Sequence, residues 1–143
     1  MFDRMIVATD GSASARTAVK HASELARLAG TSEVLIIHVC PACSVDLDPD
    51  EVNRRLASGI VDEAAKAFEG AEAGVRTMID VDYPPESLGS AIVEIAKREN
   101  ADLIVLGSRG LSEFRGMLLG SVSSKVVQHA SCPVLIVKQP EAS

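Results

Sequence analysis

Short runs of consecutive apolar residues alternate along this chain with stretches whose apolar positions recur every three or four residues. The runs fall at 5–8 (MIVA), 34–39 (VLIIHV), 103–106 (LIVL) and 133–137 (PVLIV). Continuous apolar strands of this kind belong to parallel sheets covered on both faces. Residues 75–81 alternate instead (Val75, Thr77, Ile79, Val81), as a half-exposed or edge strand does. Between the first two runs, Ala18, Ala22, Leu25, Ala26 and Ala29 keep helical spacing over 14–29 and give one buried face, with Gly30 as its stop. Residues 49–68 read as a second helix, with Asp48 or Asp50 as N-cap and Gly59 as a weak point inside it. Residues 85–100 read as a third, with Pro85 in its first turn, and 122–130 as a fourth. The order βαβαβαβαβ predicts a single doubly wound α/β domain over 1–143, a five-stranded parallel sheet with helices on both faces.

Sheets of this class take ligands beyond the carboxyl ends of their strands, where the strand order reverses. Two strand ends carry suitable chemistry. Strand one runs into Thr9-Asp10-Gly11-Ser12, and strand four into Gly107-Ser108-Arg109-Gly110. Two residues separate Gly107 from Gly110, nine more lead to Gly120, and Ser121 follows at the start of helix four. Strand, glycine loop and hydroxyl at a helix start build a phosphate site from backbone N–H groups, and Ser121 and Ser123 add hydroxyl donors. Gly107 and Gly110 would let a ligand approach the backbone with no Cβ in the way. From 107 to 125, Arg109, Arg115 and Lys125 stand against Glu113, a local net charge of +2 in a chain of net charge −6. That reversal draws an anion. The plainer alternative is that the glycines only make turns, that Ser121 only caps a helix and that Asp10 is a turn carboxylate. Neither the P-loop G-x-x-x-x-G-K-[ST] nor the dinucleotide fingerprint G-x-G-x-x-G is present, so vigorous NTPase chemistry and NAD binding are not expected.

Composition narrows the classes further. The acidic balance, one Tyr, three Phe and no Trp argue against a nucleic-acid partner. No apolar stretch is long enough to span a membrane, and the start MFDRMIVATDGS enters a strand directly, so a cytoplasmic location is expected. Three cysteines do not make a disulfide framework.

The spacing G-x2-G-x9-G-[ST] ahead of an H-A-x-C-P-V strand resembles the universal stress protein family, in its ATP-binding branch. The opening IVATDGSASARTAVKHASELA and the segment ADLIVLGSRG are similar as well, so the resemblance covers nearly the whole chain. It implies strand order 3-2-1-4-5, with strands one and four adjacent. It also implies that Ala8, Thr9 and Asp10 line the nucleoside and ribose, and that Val39 meets adenine. Leu106, Gly107, Arg109 and Gly110 would flank ribose and phosphates, and Gly120, Ser121, Val122 and Ser123 would hold the phosphate tail. The implied cofactor is ATP, with Mg2+ bridging its phosphates. The implied role is a nucleotide-dependent regulator or adaptor in the stress response, acting on a downstream protein. No positioned general base is visible, so hydrolysis would be slow at most. Strand five (Val134, Leu135, Ile136, Val137) ends the sheet as an apolar edge, and the resemblance implies a homodimer paired there across a two-fold axis. Two segments depart from the family pattern near the expected base: Cys40-Pro41-Ala42-Cys43 and Asp82-Tyr83-Pro84-Pro85.

Cys40 and Cys43 form a C-x-x-C after a strand, which is a redox signal. The acidic, non-helical stretch that follows works against a low thiol pKa. A dithiol redox protein, a reversible disulfide or metal site with His38, and inert loop thiols are the alternatives. An interaction module with an empty nucleotide site is a further one. Cys132 reads as a small buried residue, His38 as a satisfied sheet histidine, and Glu51, Asp62, Glu63 and Glu69 as a solvated helix face.

Overall fold

Each expected apolar run is a strand. The computed structural model describes residues 1–41, 49–83, 85–108 and 119–139. In it β1 (Arg4–Ala8), β2 (Glu33–Pro41), β3 (Gly74–Tyr83), β4 (Leu103–Gly107) and β5 (Val134–Val137) form one parallel sheet of order β3-β2-β1-β4-β5. The alternating strand, β3, is an edge, and so is β5. Side chains of successive strand residues point to opposite faces. Met5 and Val7 therefore enter one core with α1 (Ala13–Ala29) and α2 (Pro49–Lys66). Ile6 and Ala8 enter the other, with α3 (Leu88–Arg98) and α4 (Ser121–His129). Both faces being covered, the buried stretches of the central strands, 5–8, 34–37 and 103–106, are apolar at every position. Ile36 and Ile104 have no exposed surface, and burying one such side chain is worth about 2 kcal/mol.

Helix ends differ from the expected boundaries in small, explicable ways. α1 starts one residue early because Ser12 caps it, its Oγ accepting from Ala15 N–H at 3.2 Å, and it ends at Gly30, left-handed at φ 66. α2 runs unbroken through Gly59, and its start at Pro49 puts Asp50 inside the helix, not at its cap; Asp48 lies outside the described residues. α2 stops at Lys66, and Phe68 is buried from the turn that follows. Residues 85–87 form a 3-10 turn ahead of α3, which ends at Arg98 rather than at 100. α4 begins at Ser121, with Gly120 as its N-cap.

The sheet is uneven at its carboxyl edge. β1–β2 pairing ends at Ala8–Ile37, while β2–β3 pairing continues past a register irregularity between Val39 and Pro41, as far as Pro41–Tyr83. The two segments that depart from the family pattern thus pair through their described residues Pro41 and Tyr83.

Candidate functional site

β1 and β4 are neighbours in register from Met5–Leu103 to Val7–Val105, so the turns that leave them open onto the same edge of the sheet. A cleft there has about 570 Å³ of empty space, counting the open solvent at its mouth. One wall is Ala8, Thr9 and Asp10 from β1, with Val39 from β2. The other is Leu106 and Gly107 from β4, with Gly120, Val122 and Ser123 at the start of α4. Nine of the twelve residues singled out from the sequence therefore line one cavity. Ser121 is the exposed first residue of α4, beside the cleft. Arg109 and Gly110 lie outside the described residues, as does Arg115.

Sequence reasoning missed three aliphatic neighbours, Ile37, Leu88 and Ile92. Leu88 and Ile92 are four apart on α3, and their helical spacing was the available signal. Together with Val39 and Leu106 they give the cleft a dry end, while Asp10 and the α4 start give it a polar end. Among the described lining residues Asp10 is the single titratable side chain.

The β1–α1 turn is built from its own side chains. Thr9 Oγ1 accepts from Gly11 N–H at 3.3 Å and Asp10 Oδ1 accepts from Ser12 N–H at 2.9 Å. Gly11 is left-handed at φ 80. The Thr9 N–H donates to the Ile37 carbonyl at 3.0 Å, and His38 Nδ1 lies 2.7 Å from the Thr9 carbonyl. His38 is satisfied, as expected of a sheet histidine.

The β4–α4 loop is closed at its neck. The Ser108 carbonyl accepts from Gly120 N–H at 2.6 Å and from Ser123 Oγ at 2.8 Å; that hydroxyl also lies 3.1 Å from the Gly120 carbonyl. Ser108 N–H donates to the Val137 carbonyl at 3.0 Å, which ties the neck to β5. Ser123 is 2 % exposed. Its hydroxyl donates to the Ser108 carbonyl in this structure. The backbone N–H groups of Val122 and Ser123 precede the first intrahelical bond, which Ser124 N–H makes to the Gly120 carbonyl at 2.9 Å. They and the positive end of the helix suit an anion.

Gly107 has a steric reason besides the expected one. A Cβ there would stand 2.6 Å from Ser14 Oγ and 2.8 Å from the Ser14 carbonyl carbon. The missing side chain makes room for the first turn of α1. Lys125, counted among the cations of the loop, places its Nζ 3.3 Å from the Glu86 carbonyl at the start of α3.

The matched family model, the Universal stress protein family, covers residues 1–138. The chain belongs to the universal stress protein family. It is 35% identical to Universal stress protein MJ0531 of Methanocaldococcus jannaschii over 99% of its own length and 85% of that protein's. Among solved structures it is similar to a universal stress protein in complex with cAMP: 30% identity, TM-score 0.71, 96% of this chain and 97% of the other. It is also similar to the universal stress protein from Archaeoglobus fulgidus in complex with dAMP: 26% identity, TM-score 0.71, 96% and 100% of the two chains.

Cys43 lies outside the described residues, and so does the side chain of Cys40. Cys132 is half-buried rather than fully buried; burial, and then the Asp102 carboxylate, push its thiol pKa up, which favours the unreactive thiol. His21, His129, Asp62, Glu63 and Glu69 are exposed, as a solvated surface requires.

Proposed function

We propose that this universal stress protein binds ATP in the cleft between the β1 and β4 turns and acts as a nucleotide-dependent regulator or adaptor in the stress response, with the whole chain serving as one nucleotide-binding unit in the cytoplasm. One observation carries the reading: adjacent strands bring the Asp10 turn and the start of α4 to opposite walls of a cleft whose far end is aliphatic. That arrangement suits a base in the dry end, a ribose near Asp10 and phosphates at the α4 N–H groups. The cAMP and dAMP complexes of relatives support an adenine nucleotide.

Mg2+ fits as a passenger on the phosphates. The cleft offers one carboxylate, Asp10, and among the described residues no group of three or more His, Cys, Asp or Glu could hold a metal. Mg2+ is commonly held by one or two carboxylates plus substrate phosphates. Asp10 already accepts a main-chain N–H, and the cleft has no other described titratable group, so the site favours holding ATP over hydrolysing it.

Calorimetric titration with ATP and Mg2+ tests the reading. Binding is expected in the wild type, at least tenfold weaker in Gly120→Val and weaker in Ser121→Ala. A silent wild type would favour an interaction module with an empty site, and unchanged affinity in the folded variants would remove the phosphate assignment.

The β5 edge supports a homodimer. Val134, Leu135 and Ile136 are half-exposed on an edge strand that pairs with β4 on one side and with no described strand on the other, and such edges invite pairing. Sedimentation at micromolar concentration is expected to give twice the chain mass; a monomer mass would end the proposal.

A further inference from the structure

The β1–β2 ladder stops one rung early, and a side chain of β2 stands where the rung would be. In a parallel pair each residue donates to one partner residue and accepts from the residue two further on. Thr9 N–H donates to the Ile37 carbonyl at 3.0 Å, so a continuing ladder would bring Val39 N–H to the Thr9 carbonyl. That bond is not among those made by the described residues. The Thr9 carbonyl is instead 2.7 Å from His38 Nδ1. A carbonyl can only accept, so Nδ1 carries the proton and the tautomer is fixed.

The imidazole does not face the cleft. Ile37 is in the core under α3 and α4, and Val39 packs against it; Ile36 is in the core under α1 and α2. His38 therefore projects from the α1–α2 face and draws the Thr9 carbonyl toward that face. Val39, whose N–H points at the edge β1 has left, lines the cleft on the opposite face.

We propose that His38 is a positioning residue which holds the β1–β2 split open. By drawing the Thr9 carbonyl toward the α1–α2 face and out of line with β2 it keeps the Val39 main-chain N–H out of the ladder and directed at the cleft, available to an acceptor atom on the edge of a ligand's base. The choice of ligand rests on the nucleotide reading above; the split itself does not. A leucine at 38 would remove the donor, and the rung from Val39 N–H to the Thr9 carbonyl would close. An asparagine would keep a donor, since its amide nitrogen branches from Cγ as Nδ1 does.

The test has two readouts on the full chain. The first is the through-hydrogen-bond NMR coupling between the Val39 amide nitrogen and the Thr9 carbonyl carbon in ligand-free protein. It is expected to be absent in the wild type and in His38→Asn, and present in His38→Leu. The second is ATP affinity by calorimetry, expected to fall at least fivefold in His38→Leu and to recover to within about twofold of wild type in His38→Asn. A coupling already present in the wild type would overturn the proposal, whether or not His38→Leu folds. So would wild-type ATP affinity in folded His38→Leu. If the wild type binds no ATP, the nucleotide reading falls alone, and the coupling still decides the role of His38.

Discussion

Two turns lead from the sheet to the same cleft, and they are held in opposite ways. The β1–α1 turn is four residues long, and each of its side chains stabilises the next stretch of main chain: Thr9 holds Gly11, Asp10 holds Ser12, and Ser12 holds Ala15. The described ends of the β4–α4 loop meet at the Ser108 carbonyl, which takes both Gly120 N–H and the Ser123 hydroxyl. A turn with several local bonds tolerates the loss of one. A neck whose two described ends share one carbonyl passes the loss of either bond to the start of α4. The difference predicts that the two walls of the cleft respond unequally to equally small substitutions.

The point where the walls touch should show the largest effect. Gly107 of β4 lies against Ser14 in the first turn of α1, with room for no Cβ, and the nearest atoms include main chain that cannot swing aside. Gly107→Ala should cost about 2 kcal/mol by forcing the α1 start away from β4, since overpacking typically costs 1–3 kcal/mol. Chemical denaturation measures it. If the glycine were bare for a ligand's sake, stability would hold and only ATP affinity would fall, and that outcome would reverse the assignment made here.

What the chain revealed before folding divides along the same line. The strands were legible because burial on both faces makes the core of a central strand a continuous apolar run, and β3 was legible because an edge strand alternates. The cleft was legible in its glycines, in Asp10 and in the helix start, since those residue types answer to backbone geometry. The reasons behind particular residues were not. That Gly107 yields space to Ser14, 93 positions away by their numbers, depends on how α1 lies on β4, and no local pattern carries that distance. The commitment of the Ser123 hydroxyl to the Ser108 carbonyl depends on the loop returning to its own start. The bond from His38 to Thr9 joins residues 29 apart through the pairing register of two strands. Helix ends were misjudged where burial outlasts the helix: Phe68 stays in the core two residues after α2 has ended.

The smaller effects sharpen the comparison, because two serine-to-alanine changes remove one hydroxyl from each turn. Ser12→Ala deletes the N-cap bond to Ala15 and should lower stability by about 1 kcal/mol. The bonds from Asp10 and Thr9 persist, so ATP affinity should stay within twofold. Ser123→Ala deletes a buried bond of similar worth, about 1 kcal/mol, yet it loosens the neck that sets the direction of the α4 start. Its ATP affinity should fall by about fivefold or more at a comparable cost in stability. Denaturation and calorimetry on the same pair of variants separate the two quantities. Equal losses of affinity would mean that the turns act as one unit across the β1–β4 boundary. A loss confined to Ser12→Ala would mean that the Asp10 wall, not the helix start, sets how tightly the ligand is held.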